Sequence, residues 1–202
     1  MNKDILICGV GGQGTVLASK LIASAAMHQG NKVHSAETIG MAQRGGSVTS
    51  HVRVGEAASS PLIPQGAADV LIAFEPAEAV RNLGYLKADG VVIVNQAPVK
   101  PTTDSLKAAM GQQASVYEAG TMIDYLKTKV PTTVVVDGDG LCARFGSAKF
   151  LNVALLGVAV GTGRLELDKD VVLSEIAARV PERFIEKNTE AFEAGYALGA
   201  GA

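Results

Sequence analysis

The 202 residues include no tryptophan, only two cysteines and three histidines, and aromatic residues make up 4% of the chain. Two cysteines, Cys8 and Cys142, can neither frame a disulfide scaffold nor hold an iron–sulfur cluster by themselves. Cys and His at metal-ligand spacing are missing, and so is the Gly-x-Ser-x-Gly turn that presents a nucleophilic serine. His28 falls near a helix end, His34 in a strand and His51 on an alternating strand, none of them beside a nucleophile. A large charge of one sign is also lacking. The formal net charge of −2 offers nothing to neutralise a row of phosphates, which argues against nucleic acid as a partner. The longest apolar run, Phe150 to Val160, is 11 residues, against the roughly 20 that a membrane span needs. The chain enters a strand-like run directly from Asn2-Lys3-Asp4, without a basic-then-apolar leader. These absences predict a soluble, cytoplasmic chain that does not bind a membrane and has no self-contained active site.

What is present is apolar. The mean hydropathy is +0.23, high for a soluble monomer, and it points to an extensive protein interface, with an alanine-rich core as the alternative source. The length suits one domain spanning 1–202. Asp4 to Cys8 reads as a strand, and Thr15 to His28 has helical spacing (Val16, Leu17, Leu21, Ile22, Ala25, Ala26). Lys32 to Ala36 resembles a second strand, Glu37 to Gly46 a loop, and Ser47 to Val54 a half-exposed alternating strand. The continuous runs Val70 to Phe74 and Val91 to Val94 suit strands buried on both faces of a parallel sheet. Pro76 to Leu86 between them has helical character, and Thr132 to Val136 is a further strand. Helices are expected at Gly140 to Phe145, Lys149 to Val160, Asp170 to Arg179 and Pro181 to Leu198. The pattern predicts an α/β, Rossmann-like doubly wound, mainly parallel sheet with helices on both faces. Residues 1–136 supply the sheet and 137–202 a helical C-terminal cover.

The most specific motif is Gly9-Val10-Gly11-Gly12-Gln13-Gly14, in which Gly9, Gly11 and Gly14 keep G-x-G-x-x-G spacing between a strand and the helix opened by Thr15. Glycines there let a phosphate approach the backbone, and the helix N-terminus supplies amides and a positive dipole end. A tight turn whose glycines serve packing alone is the competing reading. A dinucleotide site also wants an acid about 20 residues on. Glu37 lies 28 residues after Gly9, late for NAD, whereas coenzyme A would use the same amides without it. Arg44-Gly45-Gly46 places a planar cation on flexible backbone, suited to phosphate or carboxylate, or else a surface arginine beside a turn. Gly138-Asp139-Gly140 starts like a thiamine diphosphate motif, but residues 163–171 contain no asparagine to finish it. Asp137 and Asp139 then read as helix caps. Cys8 reads as a buried small hydrophobe, and Glu75, Glu78, Asp69 and Asp89 as helix-end or solvated charges.

Taken together, the glycine loop, Glu37 and Arg44-Gly45-Gly46-Ser47 resemble the gamma-type module of the 2-oxoacid:ferredoxin oxidoreductases. Ala68 to Pro76, Lys149 to Gly157, Phe184 to Asn188, Ala191-Phe192 and Gly195-Tyr196 extend the likeness over nearly the whole chain. Met41 to Val48 with Ser50 to Arg53 is most similar to the small (beta) subunits of the indolepyruvate enzymes, while pyruvate and other 2-oxoacid gamma subunits share the module. The resemblance implies a non-catalytic subunit. The large partner would carry thiamine diphosphate and iron–sulfur clusters. The complex would decarboxylate a 2-oxoacid oxidatively, reduce ferredoxin and transfer the acyl group to coenzyme A. Gly9, Gly11, Gly12, Gln13, Gly14, Thr15, Glu37, Arg44, Gly45 and Gly46 are the residues on which cofactor contacts, coenzyme A phosphates above all, would fall. In isolation the interface face would allow a homodimer. An independent Rossmann-type dehydrogenase and a pure scaffold are the other readings.

Overall fold

The computed structural model describes residues 1–39, 45–99, 107, 109–112 and 117–202. Its strands are β1 (Lys3–Val10), β2 (Val33–Ile39), β3 (Ser47–Val54), β4 (Ala68–Ala73), β5 (Leu86–Asn95) and β6 (Thr133–Val136). They form one sheet in the order β2-β3-β1-β4-β5-β6. The pairs β1–β4, β4–β5 and β5–β6 are parallel, and β3 alone runs antiparallel, wedged between β1 and β2. The last six residues of both β1 and β5 are buried without a break, as strands covered on both faces must be.

The helices are α1 (Thr15–His28), α2 (Pro76–Asn82), α3 (Ala119–Lys129), α4 (Gly138–Ala143), α5 (Leu151–Gly161), α6 (Lys169–Arg179) and α7 (Ile185–Ala200). Because side chains alternate along a strand, Ile5, Ile7, Val70, Ile72 and Ile93 point to one face, where α1 and α4–α7 cover them. Leu6, Leu71, Val92 and Val94 point to the other, beneath Ala79 of α2 and Ile123 and Leu126 of α3. The helix after β1 and the helix after β4 thus lie on opposite faces. The carboxyl ends of these two neighbouring strands bound the crevice in which open α/β sheets hold their ligands.

Helix α5 buries every residue from Leu151 to Val160, so it sits inside the helical layer instead of at its surface. It packs on α7 through two facing glycine pairs. A Cβ on Gly157 would lie 2.2 Å from the Phe192 carbonyl oxygen, and one on Gly161 would lie 2.3 Å from that of Tyr196. From the other side, Cβ atoms on Gly195 and Gly199 would lie 2.0 and 2.1 Å from the carbonyl oxygens of Ala154 and Val158. Residue numbers rise together across this contact, so α5 and α7 run parallel and their N-terminal ends lie at one end of the pair.

Several expectations from the sequence need correction. The second strand runs on to Ile39, because it pairs with β3 along its full length, so Glu37 belongs to a strand and not to a loop. Strand β3 keeps the expected alternation, with Val48, Ser50, Val52 and Val54 buried and Ser47, Thr49 and Arg53 partly exposed, but His51 departs from it and is also buried, 5% exposed. Helix α2 stops at Asn82, and a 3₁₀ turn at Leu83–Tyr85 leads straight into β5. Helix α3 was not anticipated. It buries only Ile123 and Leu126, too sparse a pattern to show a helical period. Among the described residues, no helix is long and apolar enough to cross a membrane.

Candidate functional site

Strand β1 ends in the glycine loop, and α1 begins on it. Gly12 and Gly14 take φ values of +103° and +84°, left-handed conformations that side chains rarely adopt. At Gly9 the need is space: a Cβ there would lie 2.9 Å from the Cβ of Phe74. At Gly14 both reasons apply, because a Cβ would also meet Asn152 at 2.7 Å.

The loop is braced from below by side-chain amides. Val10 N–H donates to Gln13 Oε1 at 2.8 Å, and Gln13 Nε2 donates to the Phe74 carbonyl at 3.1 Å. Asn95 Nδ2 donates to that same carbonyl at 3.2 Å, while Asn95 Oδ1 accepts from Gly138 N–H at 3.1 Å. Two amides thereby tie together the ends of β1, β4 and β5 and the start of α4. Asp137 caps α4 by accepting from Gly140 N–H, as expected.

Above this scaffold lies a cleft of about 510 Å³. Gly12, Gln13 and Gly14 form one side, Asn95 and Ala97 to Val99 the strand end, and Asp139, Lys149 and Asn152 the side toward α4 and α5. Its volume falls in the range typical of small-molecule sites, roughly 300–1,000 Å³. The first free turn of α1 and the Lys149 ammonium both favour an anion there.

The residues expected to form a site separate in this frame. Gly12, Gln13 and Gly14 line the cleft. Thr15 is buried as the first residue of α1. The Gly11 amide is occupied, donating to the Gly46 carbonyl at 2.8 Å, and Gly45 N–H donates back to the Gly11 carbonyl at 3.2 Å. Gly45 and Gly46 therefore lie against the glycine loop and hold it through their backbone. Arg44 lies outside the described residues, as does Gly40 to Gln43 before it. Glu37 sits on β2 level with Ser50 of β3 and Ile7 of β1. Two strand spacings, about 10 Å, separate it from β1, and its carboxylate accepts from the Ser19 hydroxyl at 3.4 Å. Lys149, Asn152, Asn95 and Asp139 were not anticipated as lining residues, since Asn95 reaches the cleft from the end of β5 and the other three only through the packing of α4 and α5 on the sheet.

On the opposite face of the same strand ends, two glutamates expected as helix-end or solvated charges do lie at the start of α2, but buried: Glu75 is 1% and Glu78 3% exposed. Glu75 caps α2, accepting from Glu78 N–H at 3.0 Å and from the Tyr117 hydroxyl. Burial pushes its carboxyl above the usual range, against the lowering effect of hydrogen bonds from backbone amides. Glu78 accepts from the Ser47 hydroxyl at 2.6 Å and pairs with Arg81 at 2.8 Å. Cys8 lies beneath them, 0% exposed, and burial followed by the two carboxylates drives its thiol well above the usual range. Burial likewise pushes Cys142 up to about 11. Neither thiol is a nucleophile at neutral pH. Among the described residues no group of His, Cys, Asp and Glu is arranged to hold a metal.

Residues 4–198 match the pyruvate ferredoxin/flavodoxin oxidoreductase family. The indolepyruvate oxidoreductase subunit IorB of Archaeoglobus fulgidus is 37% identical over 97% of this chain and 94% of its own length. That of Methanothermobacter thermautotrophicus is 33% identical over 99% of both chains. Among solved structures, the keto/oxoacid ferredoxin oxidoreductase gamma subunit of Geobacter sulfurreducens superposes with a TM-score of 0.69, covering 99% of both chains at 24% identity. A 2-oxoglutarate:ferredoxin oxidoreductase from Magnetococcus marinus, with 2-oxoglutarate, coenzyme A and succinyl-CoA bound, contains the same fold over 31% of its chain (TM-score 0.71, 19% identity). With the family matched from β1 through α7 and relatives above 30% identity over the full length, the chain belongs to the pyruvate ferredoxin/flavodoxin oxidoreductase family.

Proposed function

We propose that this chain is the small subunit of an indolepyruvate:ferredoxin oxidoreductase, a single domain over 1–202 working in the cytoplasm beside a large subunit. The substrate assignment rests on the indolepyruvate oxidoreductase subunits that are 33–37% identical to this chain. The gamma subunits of pyruvate/ketoisovalerate oxidoreductases are more distant, at 25–28%. Thiamine diphosphate and iron–sulfur clusters belong on the partner. Asp137 is committed to capping α4, and the buried, unpaired Cys8 and Cys142 suit a reducing compartment rather than a cluster.

The observation that carries the reading is the 510 Å³ cleft over the glycine loop. The residues there fit coenzyme A, whose thiol accepts the acyl group when it is bound. Amides of Gly12, Gly14 and Thr15 and the Lys149 ammonium would hold its phosphates, with Arg44 as a further cation. Gln13 and Asn95 keep the cleft's floor fixed, so little ordering is required on binding. Insertion of β3 between β1 and β2 removes Glu37 from the place a ribose-binding acid needs, which disfavours a free-standing dehydrogenase.

The test is co-expression with the large subunit and an assay of coenzyme A-dependent, indolepyruvate-driven reduction of a viologen dye. Activity should require this chain. Lys149→Ala should raise the coenzyme A KM about tenfold, the loss of one charge-assisted contact, with little change in kcat. Full activity without the chain, or an unchanged KM, refutes the assignment of the cleft.

A further inference from the structure

The peptide unit between Gly11 and Gly12 is flanked by two residues without side chains, so sterics at its own Cα atoms do little to fix its orientation. Outside contacts fix it instead. The Gly11 carbonyl accepts from Gly45 N–H at 3.2 Å, and the Gly11 amide donates to the Gly46 carbonyl at 2.8 Å. A trans peptide holds its C=O and N–H on opposite sides, so the bond to Gly45 also turns Gly12 N–H away from the Gly45-Gly46 segment. Gly12 itself lines the cleft. Whatever holds Gly45 and Gly46 in place therefore orients an amide that an anion in the cleft would use.

Those two glycines have no side chains with which to hold themselves. Gly45 takes φ +71°, and nothing lies within 4 Å of its Cβ position. The first side chain after them is that of Ser47, whose hydroxyl donates to Glu78 Oε2 at 2.6 Å. The bond is short, as expected where a carboxylate is the acceptor. Glu78 is itself tied on several sides. Its other oxygen pairs with Arg81 at 2.8 Å, its amide donates to Glu75 Oε2 at 3.0 Å, and its carbonyl accepts from Asn82 Nδ2 at 2.9 Å. It is 3% exposed, and the adjacent Ala79 is fully buried against the sheet. A continuous line of contacts thus runs from α2 through Ser47 and Gly46 to Gly11. Neither Ser47 nor Glu78 lines the cleft.

We propose that Glu78 is a positioning residue for the anion site: by holding Ser47 it keeps the Gly45-Gly46 segment on Gly11, and so keeps the Gly12 amide presented to the cleft. The inference rests on coenzyme A being the ligand of that cleft. Without the Ser47 bond the Gly11–Gly12 peptide is free to turn over, and the ligand loses one hydrogen bond to a charged oxygen.

Ser47→Ala removes a single hydroxyl and is the first variant to make, followed by Glu78→Ala and Glu78→Gln. In the full-length chain, amide exchange followed by NMR should be at least tenfold faster at Gly11 in Ser47→Ala, and unchanged at Ile5 to Ile7 of β1. In the enzyme assembled with its large subunit, Ser47→Ala and Glu78→Ala should each raise the coenzyme A KM about tenfold, the lower end of what one hydrogen bond to a charged group contributes. The kcat and the indolepyruvate KM should stay as they are. The double variant should be no worse than the poorer single one, because both act through the same bond. Glu78→Gln keeps an oxygen to accept from Ser47 and should remain within about threefold of wild type. A Gly11 amide that exchanges as slowly in Ser47→Ala as in wild type would overturn the proposal. So would an unchanged coenzyme A KM in Ser47→Ala and Glu78→Ala while Lys149→Ala raises it, a result that leaves the assignment of the cleft standing. A fall in kcat with a rise in both KM values would overturn it too, giving Ser47 and Glu78 a purely structural role. If Lys149→Ala also leaves the KM unchanged, the coenzyme A reading fails and the positioning role fails with it. Should Glu78→Ala not fold, Ser47→Ala and Glu78→Gln still decide between these outcomes.

Discussion

Replacing Gly195 by alanine tests whether α5 and α7 touch backbone to backbone. A Cβ at this position would lie 2.0 Å from the Ala154 carbonyl oxygen and 3.1 Å from the Val158 amide nitrogen. Ordinary contact begins near 3.4 Å, so the helices must part by about an ångström or more along a contact with no flexible side chain to yield. Overpacking a well-filled interior costs about 3 kcal/mol at the upper end of the usual range. Alanine returns about 1 kcal/mol through its helix propensity. The net loss should be about 2 kcal/mol, and a domain of this size loses roughly 2–4 °C in Tm per kcal/mol. Gly120 in the first turn of α3 is the internal control, because nothing lies within 4 Å of its Cβ position. There the propensity gain acts alone, and alanine should stabilise by about 0.5–1 kcal/mol. Urea denaturation of the two single variants should therefore move the midpoint in opposite directions at constant m. A Gly195→Ala chain as stable as wild type, or more so, would refute the close packing of the two helices.

Other outcomes follow from the same geometry. The Glu175 side chain is 5% exposed and bonded to Arg179 and His28. Burial raises its carboxyl, but hydrogen bonds from Ser24 and Arg179 and the charges of His28 and Arg179 outweigh it and hold it below the usual range. Its stabilisation is thus present above the unfolded carboxyl value and lost as pH falls through the folded one. Glu175→Gln should cost about 1–3 kcal/mol at neutral pH and flatten the stability loss in acid, read by denaturation at a series of pH values. Both cysteines should resist a thiol reagent until the chain unfolds, and rapid labelling of Cys8 in the native state would contradict its burial. Gly14→Ala places a Cβ against Asn152 at positive φ, so it should lower stability by about 1–3 kcal/mol and weaken coenzyme A in the assembled enzyme. Gly12→Ala has open space and should cost only the backbone strain, about 1 kcal/mol.

The parts of this fold that were legible in the sequence share a physical cause. Thr15–His28 is bounded by glycine at both ends, and the buried parallel strands β4 and β5 appear as unbroken β-branched runs, so local chemistry alone defined them. The place of β3 was not legible. Its alternation marks a strand but carries no information about its neighbours, and the insertion between β2 and β1 is a fact of topology. Glu75 and Glu78 read as helix-end or solvated charges; the helix end is where they lie, but residue type alone does not mark them as buried. Their burial depends on Ser47 and Tyr117, 28 and 42 residues away from Glu75 along the chain. For the glycine loop, residue types located the turn and the helix N-terminus. They did not foretell that the Gly11 amide is spent on Gly46, nor that Lys149 and Asn152 complete the cleft from the start of α5, on the same face of the sheet as α1.

The wedged position of β3 constrains the order in which the chain assembles. β1 and β2 are joined through α1, yet they never touch, so the β1-α1-β2 unit has no sheet contact of its own to close first. β2 and β3 pair antiparallel from Val33↔Val54 to Ile39↔Val48, close together along the chain, and such a local pairing is inexpensive in loop entropy. The hairpin must therefore dock as a preformed ribbon, with β3 inward, onto an edge of β1 that stays open until then. On its other side β1 recruits β4, whose partner residues lie more than 60 positions downstream. β1 is thus the meeting line of a fast local half and a slow long-range half. A protecting hydrogen-exchange pattern should reach β3 before it reaches β4, and until the hairpin arrives the bare edge of β1 is where an unassembled chain is most exposed to pairing with another copy of itself.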